Sequence, residues 1–300
     1  MEKTKEENNM ENPREENLRS LAGDTRVTRT YFLYPLERSP DALSPEEYEQ
    51  KFLEAIAESF RAFRSDHVPL PEIVLKDTKV ARRFFGIERM LHSVFAKLFP
   101  SYLMNVAASC PYQDVRQEIL KDCWDEEVAD PDAQGKSHIE VLYGDVAVMG
   151  ISQEEVENFE PTPVLMACMH ALDNMTRTLP WQGGYAAMGG LEAARVAVAR
   201  GYMRRDEDAI TASHRGRTVE ELCGVPEGSI KLWRLHASKD LTHGEDCLKV
   251  LKKYCTTREI QQLTFWAVKT ARSIRVITNR EQRRIAMAAI GLPADSLVVT

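Results

Sequence analysis

The segment LHASKDLTHGE, residues 235–245, places polar side chains at positions i, i+4 and i+7. On an α-helix that spacing projects His236, Asp240 and His243 from one face, because side chains recur every 3.6 residues. Two imidazoles and a carboxylate suit a divalent transition metal with mixed nitrogen and oxygen ligands, such as iron or manganese. A surface helix with a wet polar side shows the same spacing, so this segment alone does not decide. A second stretch, QEILKDCWDEE at 117–127, ends in carboxylates and is followed, after an Asp130-Pro131 turn, by Ser137-His138. A Glu closing one helix and a His opening the next can point into a common interior, although a Glu-rich helix end is often a solvated face. The third element is AMGGLEAA at 187–194, where Glu192 stands alone among small and apolar residues. A carboxylate in such a setting needs a cation or a proton, because burying it unpaired is costly. Together the three elements offer three carboxylates and three histidines from separate helices. Helix bundles that hold two irons use this inventory.

With these residues in this order, the chain resembles the haem-oxygenase-like diiron oxidases and oxygenases. The resemblance spans about residues 80–275. It rests on the Trp124–Glu127 helix end, Ser137-His138, Met149-Gly150-Ile151, the Gly189–Glu192 run and the His236–His243 motif. It implies an all-α fold, one helical bundle of about seven to nine helices, with two iron ions and O2 as co-substrate. Carried over position by position, the implied metal ligands are Glu126, His138, Glu192, His236, Asp240 and His243. Glu126 is preferred to Glu127 because it follows the Asp as in the family pattern. The implied activity is oxidation of a small amine or amino acid by N-oxygenation, desaturation or oxidative C–C cleavage, using an external reductant. Two alternatives stand beside it: a metal-independent thiaminase-like or quinone-forming enzyme on the same fold, and a non-catalytic helical binding protein. The chain departs from the family at Val128–Pro131, where a Gly-rich turn is usual, and in a longer gap before His236 that implies a loop over 204–226. His170 and Asn174, one turn apart, suit either a contact to the site or a polar stripe between helices.

The elements that must position these residues read as helices almost throughout. Ser44-Pro45-Glu46-Glu47 combines an N-cap, a proline at the first helical position and a capping-box Glu. Tyr48, Phe52, Ile56, Phe60 and Phe63 then mark one apolar face. Further helices are expected over 78–98, stopping at Pro100, and over 112–127, 135–149, 163–178, 184–203, 228–252 and 257–282. The last opens with a Thr256-x-x-Glu259 capping box. Phe84, Phe95 and Trp266, at helical spacing, are expected in the core. Only YFLY (31–34) and the terminal LVVT read as strand-like. The expected organisation is an acidic tail over 1–22, a helical domain over 23–284 and a C-terminal tail over 285–300.

Composition excludes little. Lys+Arg number 39 against 46 Asp+Glu, a formal charge of −7, with no basic block that would suit nucleic acid or an anionic membrane. No run of about 18 apolar residues exists to span a bilayer, and the first 20 residues hold no signal-peptide core. The six cysteines form no CxxC pair and are expected as small buried hydrophobes, which with the missing leader points to the cytoplasm. Dimerisation suits such a bundle, yet no residue pattern fixes it.

Overall fold

The computed structural model describes residues 37–62, 70–203 and 218–293. The expected tail at 1–22, both strand-like segments, Phe63 and most of the 204–226 loop lie outside them. The described residues form twelve α-helices and no strand. They are α1 (Pro45–Ala62), α2 (Glu72–Lys76), α3 (Thr78–Ser109), α4 (Gln113–Glu127), α5 (His138–Val148) and α6 (Gln153–Glu157). There follow α7 (Pro163–Thr178), α8 (Trp181–Glu192), α9 (Ala194–Ala199), α10 (Val219–Cys223), α11 (Leu232–Tyr254) and α12 (Arg258–Ala289). The number exceeds the expected seven to nine because α2, α6 and α10 are single short turns and one expected helix is split.

Local chemistry explains most ends. Ser44 and Glu47 form the reciprocal cap read from the sequence, with Ser44 N–H donating to Glu47 Oε2 at 3.0 Å and Glu47 N–H to Ser44 Oγ at 3.3 Å. At α12 the cap is Thr257, whose side chain accepts from Ile260 N–H, so the box expected at Thr256 is not used. That helix also runs to Ala289, with Ala286 and Met287 buried, past the expected boundary at 284.

Two expected boundaries are displaced for a tertiary reason. Pro100 sits inside α3, although a mid-helix proline costs about 3 kcal/mol or more. The turns beyond it bury Leu103 and Val106, at about 1.5–3 kcal/mol each, together with Tyr102 and Ala107, and that burial wins. The helix expected from 184 begins earlier, so that Gly183 and Gly184 lie within α8. A Cβ on Gly184 would meet Val106 Cγ2 at 3.0 Å, so glycine there permits close approach of α3.

Long helices α3 and α12 form the frame; α12 lies against α1, α3, α7 and α8, and α11 against α8 and α9. One apolar cluster joins Tyr48 and Phe52 of α1, Tyr102 of α3, Tyr185 of α8, Leu248 of α11 and Val268 of α12. A second joins Phe84 and Leu91 of α3, Val146 of α5, Leu165 of α7 and Met287 of α12. Among the polar residues of the frame, Arg89 and Ser93 of α3 and Thr278 of α12 are buried, and His92 of α3 and Arg275 of α12 are half-buried. Phe84 is core as expected, Phe95 is half-buried, and Trp266 is 51% exposed, against expectation. All six cysteines are buried and unpaired. No helix among the described residues is long and apolar enough to cross a membrane.

Candidate metal centre

Four helices deliver the six residues singled out from the sequence. Glu126 lies in the last turn of α4 and is buried, whereas Glu127 is exposed. His138 is the first residue of α5, positioned by the Ser137/Glu140 capping box. Glu192 ends α8. His236, Asp240 and His243 project from α11, which approaches α8 so closely that a Cβ on Gly244 would lie 2.7 Å from Ala193 Cα. The expected 184–203 helix is split at Ala193, between α8 and α9, next to this contact.

The resulting cluster has two overlapping halves. One ligand atom from each of Glu126, His138 and His236 lies within 4.8 Å of the others, and the same holds for Glu126, Glu192 and His243. Glu126 belongs to both. Asp240 is in neither group, but it is only 8% exposed and has Glu192 and Glu126 as charged neighbours. Burial and those two carboxylates push its carboxyl well above the ordinary range, partly offset by Arg195 and His243.

Each of two histidines is backed by an aspartate. His138 Nδ1 lies 2.8 Å from Glu126 Oε2, while Nε2 lies 2.9 Å from Asp130 Oδ2. Asp130 is fully buried and fixed by its other oxygen, Oδ1, which accepts from Asp132 N–H at 2.8 Å and faces Lys239 Nζ at 2.9 Å. Lys239 also reaches Asp125 at 3.0 Å. His243 Nδ1 lies 3.4 Å from Glu192 Oε1, and its Nε2 lies 3.6 Å from Asp122 Oδ1. Burial opposes charge on both rings, yet Glu126 and Asp130 raise His138 to about 9, and Glu192 with Asp122 raises His243 to about 10. His236 goes the other way, lowered to about 3 by burial and by His138 and Arg89, with Glu126 opposing. Its Nε2 is buried without a hydrogen-bond partner.

Residues 90–275 match the sequence profile of a family described as iron-containing redox enzymes. The chain belongs to that family. All six candidate residues fall within the matched span. No curated protein sequence matches the chain. Among solved structures, a TenA homologue from Pseudomonas syringae pv. tomato superposes with a TM-score of 0.54 at 13% identity, covering 82% of this chain and 98% of the other. At that identity the likeness speaks for the fold, which is the all-α, haem-oxygenase-like one.

Several residues of the site escaped sequence reasoning. Asp122 sits four residues before Glu126 on the same face of α4, a signal the helical spacing offered. Asp130 reads as turn chemistry before Pro131, and only the fold brings it to His138. Lys239 and Arg89 carry no local signature. His170 and Asn174 are exposed on α7, so they neither contact the site nor form a polar stripe between packed helices.

Proposed function

We propose that Glu126, His138, Glu192, His236, Asp240 and His243 hold two iron ions, with Glu126 shared between them. On this reading the chain is an O2-dependent oxidase or oxygenase of a small amine or amino acid, served by an external reductant. The observation that carries the reading is the pair of three-residue groups meeting at one buried carboxylate. The donor set fits iron: three buried carboxylates supply hard anionic ligands, and three imidazoles complete a mixed nitrogen and oxygen shell. Without a cation, the repulsion felt by Asp240 is only partly offset by Arg195 and His243, and Nε2 of His236 stays without a partner.

Bound there, a pair of irons supplies electrons and open coordination positions for the reduction of O2. The rest is the work of the side chains. Asp130 accepts the proton-bearing Nε2 of His138, which leaves the Nδ1 lone pair directed at Glu126. Asp122 stands on the far side of His243 in the same relation, at the longer distance of 3.6 Å. Lys239 neutralises Asp130 and Asp125 and ties α11 to the end of α4. Arg195, only 9% exposed, offsets the negative charge beside Asp240.

Oxygen uptake with a panel of amino acids and small amines, after anaerobic Fe(II) loading, tests the reading. Substrate-dependent uptake lost in His243→Ala supports it; uptake that is unaffected by the substitution refutes it. One observation favours a second reading. His138 between two carboxylates at 2.8 and 2.9 Å has its charge balanced without a metal, which suits a metal-independent enzyme on this fold. Turnover by rigorously metal-stripped protein would establish that reading instead.

A further inference from the structure

Oxidisable aromatic rings line up between one end of the bundle and the metal positions. Trp181 opens α8, Tyr185 follows one turn later and Glu192 ends the helix, so the three share a face at i, i+4 and i+11. Both aromatic side chains are buried, Tyr185 to 1% exposure. The Tyr185 ring leans toward the site, its Cε2 lying 3.6 Å from where a Cβ on Gly189 would be, in the turn before Glu192. Cys247 Sγ presses on the same point at 2.6 Å, so only glycine admits this packing. The Tyr185 hydroxyl is buried without a hydrogen-bond partner, and Asp122 and Glu192 are among its charged neighbours. Asp122 Oδ1 is likewise buried without a hydrogen bond, 3.6 Å from His243 Nε2.

The other end of the series reaches solvent. The Trp181 ring lies 5.6 Å from that of Tyr254 at the end of α11 and 6.0 Å from that of Tyr112, with the two tyrosines 4.3 Å apart. Tyr254 O–H donates to Asp114 Oδ2 at 2.7 Å, and this carboxylate is 55% exposed and paired with Lys253. From Trp181 to Glu192 the helix rises about 16 Å. Electron tunnelling decays exponentially with distance, so intermediate oxidisable rings speed transfer over such a span. Packing alone accounts for a buried ring at 185 but not for its hydroxyl. An unsatisfied buried donor costs about 1–3 kcal/mol that phenylalanine avoids.

We propose that Tyr185, Trp181 and Tyr254 carry electrons from a one-electron reductant in solution to the metal positions. The inference rests on the reading of the cluster as iron-binding and adds where the external reductant acts. Reduction of O2 to two waters takes four electrons and four protons. Two Fe(II) becoming Fe(III) give two of those electrons, and in the absence of substrate the other two pass along the rings one at a time. In each passage Tyr185 gives an electron to the O2 undergoing reduction, its O–H bond breaks and the proton goes to Asp122 Oδ1. An electron from Trp181 and the returning proton restore the phenol. Tyr254 then refills Trp181, its own proton passing to Asp114, and the reductant refills Tyr254 as that proton returns. An oxidised phenol is a strong acid, so Asp114 accepts its proton although Lys253 holds the carboxyl below its ordinary range.

The test loads the whole chain anaerobically with Fe(II), counts the iron by elemental analysis, mixes with O2 in the absence of substrate and freeze-quenches for EPR. An organic radical is expected, whose hyperfine splitting collapses when the protein carries ring-deuterated tyrosine. Tyr185→Phe removes only an unpartnered hydroxyl, so it keeps the iron and loses the signal. Trp181→Phe and Tyr254→Phe keep the radical at Tyr185 and slow its decay in ascorbate severalfold. Thermal unfolding of each metal-free variant checks the fold, and where Trp181→Phe is unfolded Tyr254→Phe decides. Two irons per chain without a radical, a signal unchanged in Tyr185→Phe, or a decay in ascorbate as fast in the other variants as in the parent would overturn the inference alone. A folded chain that binds no iron would refute the iron reading, and the inference with it.

Discussion

Replacing Asp130 by Asn changes one buried oxygen into an amide nitrogen, and the surroundings dictate where that nitrogen goes. Oδ1 of Asp130 faces two donors, Asp132 N–H at 2.8 Å and Lys239 Nζ at 2.9 Å, so the amide oxygen must stay on that side. The NH2 group then occupies the position of Oδ2, 2.9 Å from His138 Nε2. Two donors cannot share one hydrogen bond, so Nε2 must become an acceptor and the ring proton moves to Nδ1. That is the nitrogen 2.8 Å from Glu126, where the metal-binding lone pair is needed. Restoring the lone pair means leaving a buried donor unsatisfied, at about 1–3 kcal/mol, and losing the carboxylate partner of a metal-bound histidine typically weakens metal affinity 10–100-fold. The two estimates agree, since 10–100-fold is about 1.4–2.8 kcal/mol. Anaerobic Fe(II) titration under competition with a chelator should show one of the two sites weakened by that factor, with helical content unchanged. An Asp130→Asn protein that binds Fe(II) like the parent would refute the assignment of Nδ1 as the ligand atom and of Asp130 as the residue that fixes it.

Other outcomes follow from the same geometry. Because Glu126 belongs to both three-residue groups, Glu126→Ala should abolish binding of both metals, whereas His236→Ala should leave one metal per chain in elemental analysis. His138 and His243, raised to about 9 and about 10, stabilise the metal-free fold fully below their unfolded value of about 6.5 and lose that contribution as pH rises through 9 and 10. Metal must displace those protons, one at each position, so the Tm of metal-free protein should fall between pH 6.5 and 9 while the Fe(II) affinity of each position rises by up to about tenfold per pH unit. A Tm of the metal-free protein that rises over that range, or an Fe(II) affinity that falls, would contradict these protonation states. Gly244→Ala drives a methyl into Ala193 Cα at 2.7 Å, and backbone on both sides cannot yield. It should destabilise by about 1–3 kcal/mol, read as a lower denaturant midpoint, and weaken metal binding by moving α11 from α8.

The legible parts of this molecule were those that depend on local periodicity. His236, Asp240 and His243 share a face because the helix repeat demands it, and α11 delivers them together. The carboxylate at Glu192 stood out by its apolar surroundings, which the burial of α8 bears out. What escaped notice depends on approach between distant segments. Asp130 and Lys239 meet only because the turn after α4 folds back against α11. Pro100 ends the helix in the local reading yet is tolerated because residues beyond it are buried. Trp266 matches the apolar spacing of α12 yet faces outward, a reminder that periodicity identifies a face and not what covers it.

The central claim is that one buried carboxylate joins two metal positions. Mössbauer spectroscopy combined with elemental analysis of the anaerobically Fe(II)-loaded and then oxidised protein tests it most directly. The account predicts two irons per chain whose ferric spins are coupled through the shared Glu126. A folded chain that binds one iron, or none, or two that remain magnetically independent, would contradict it.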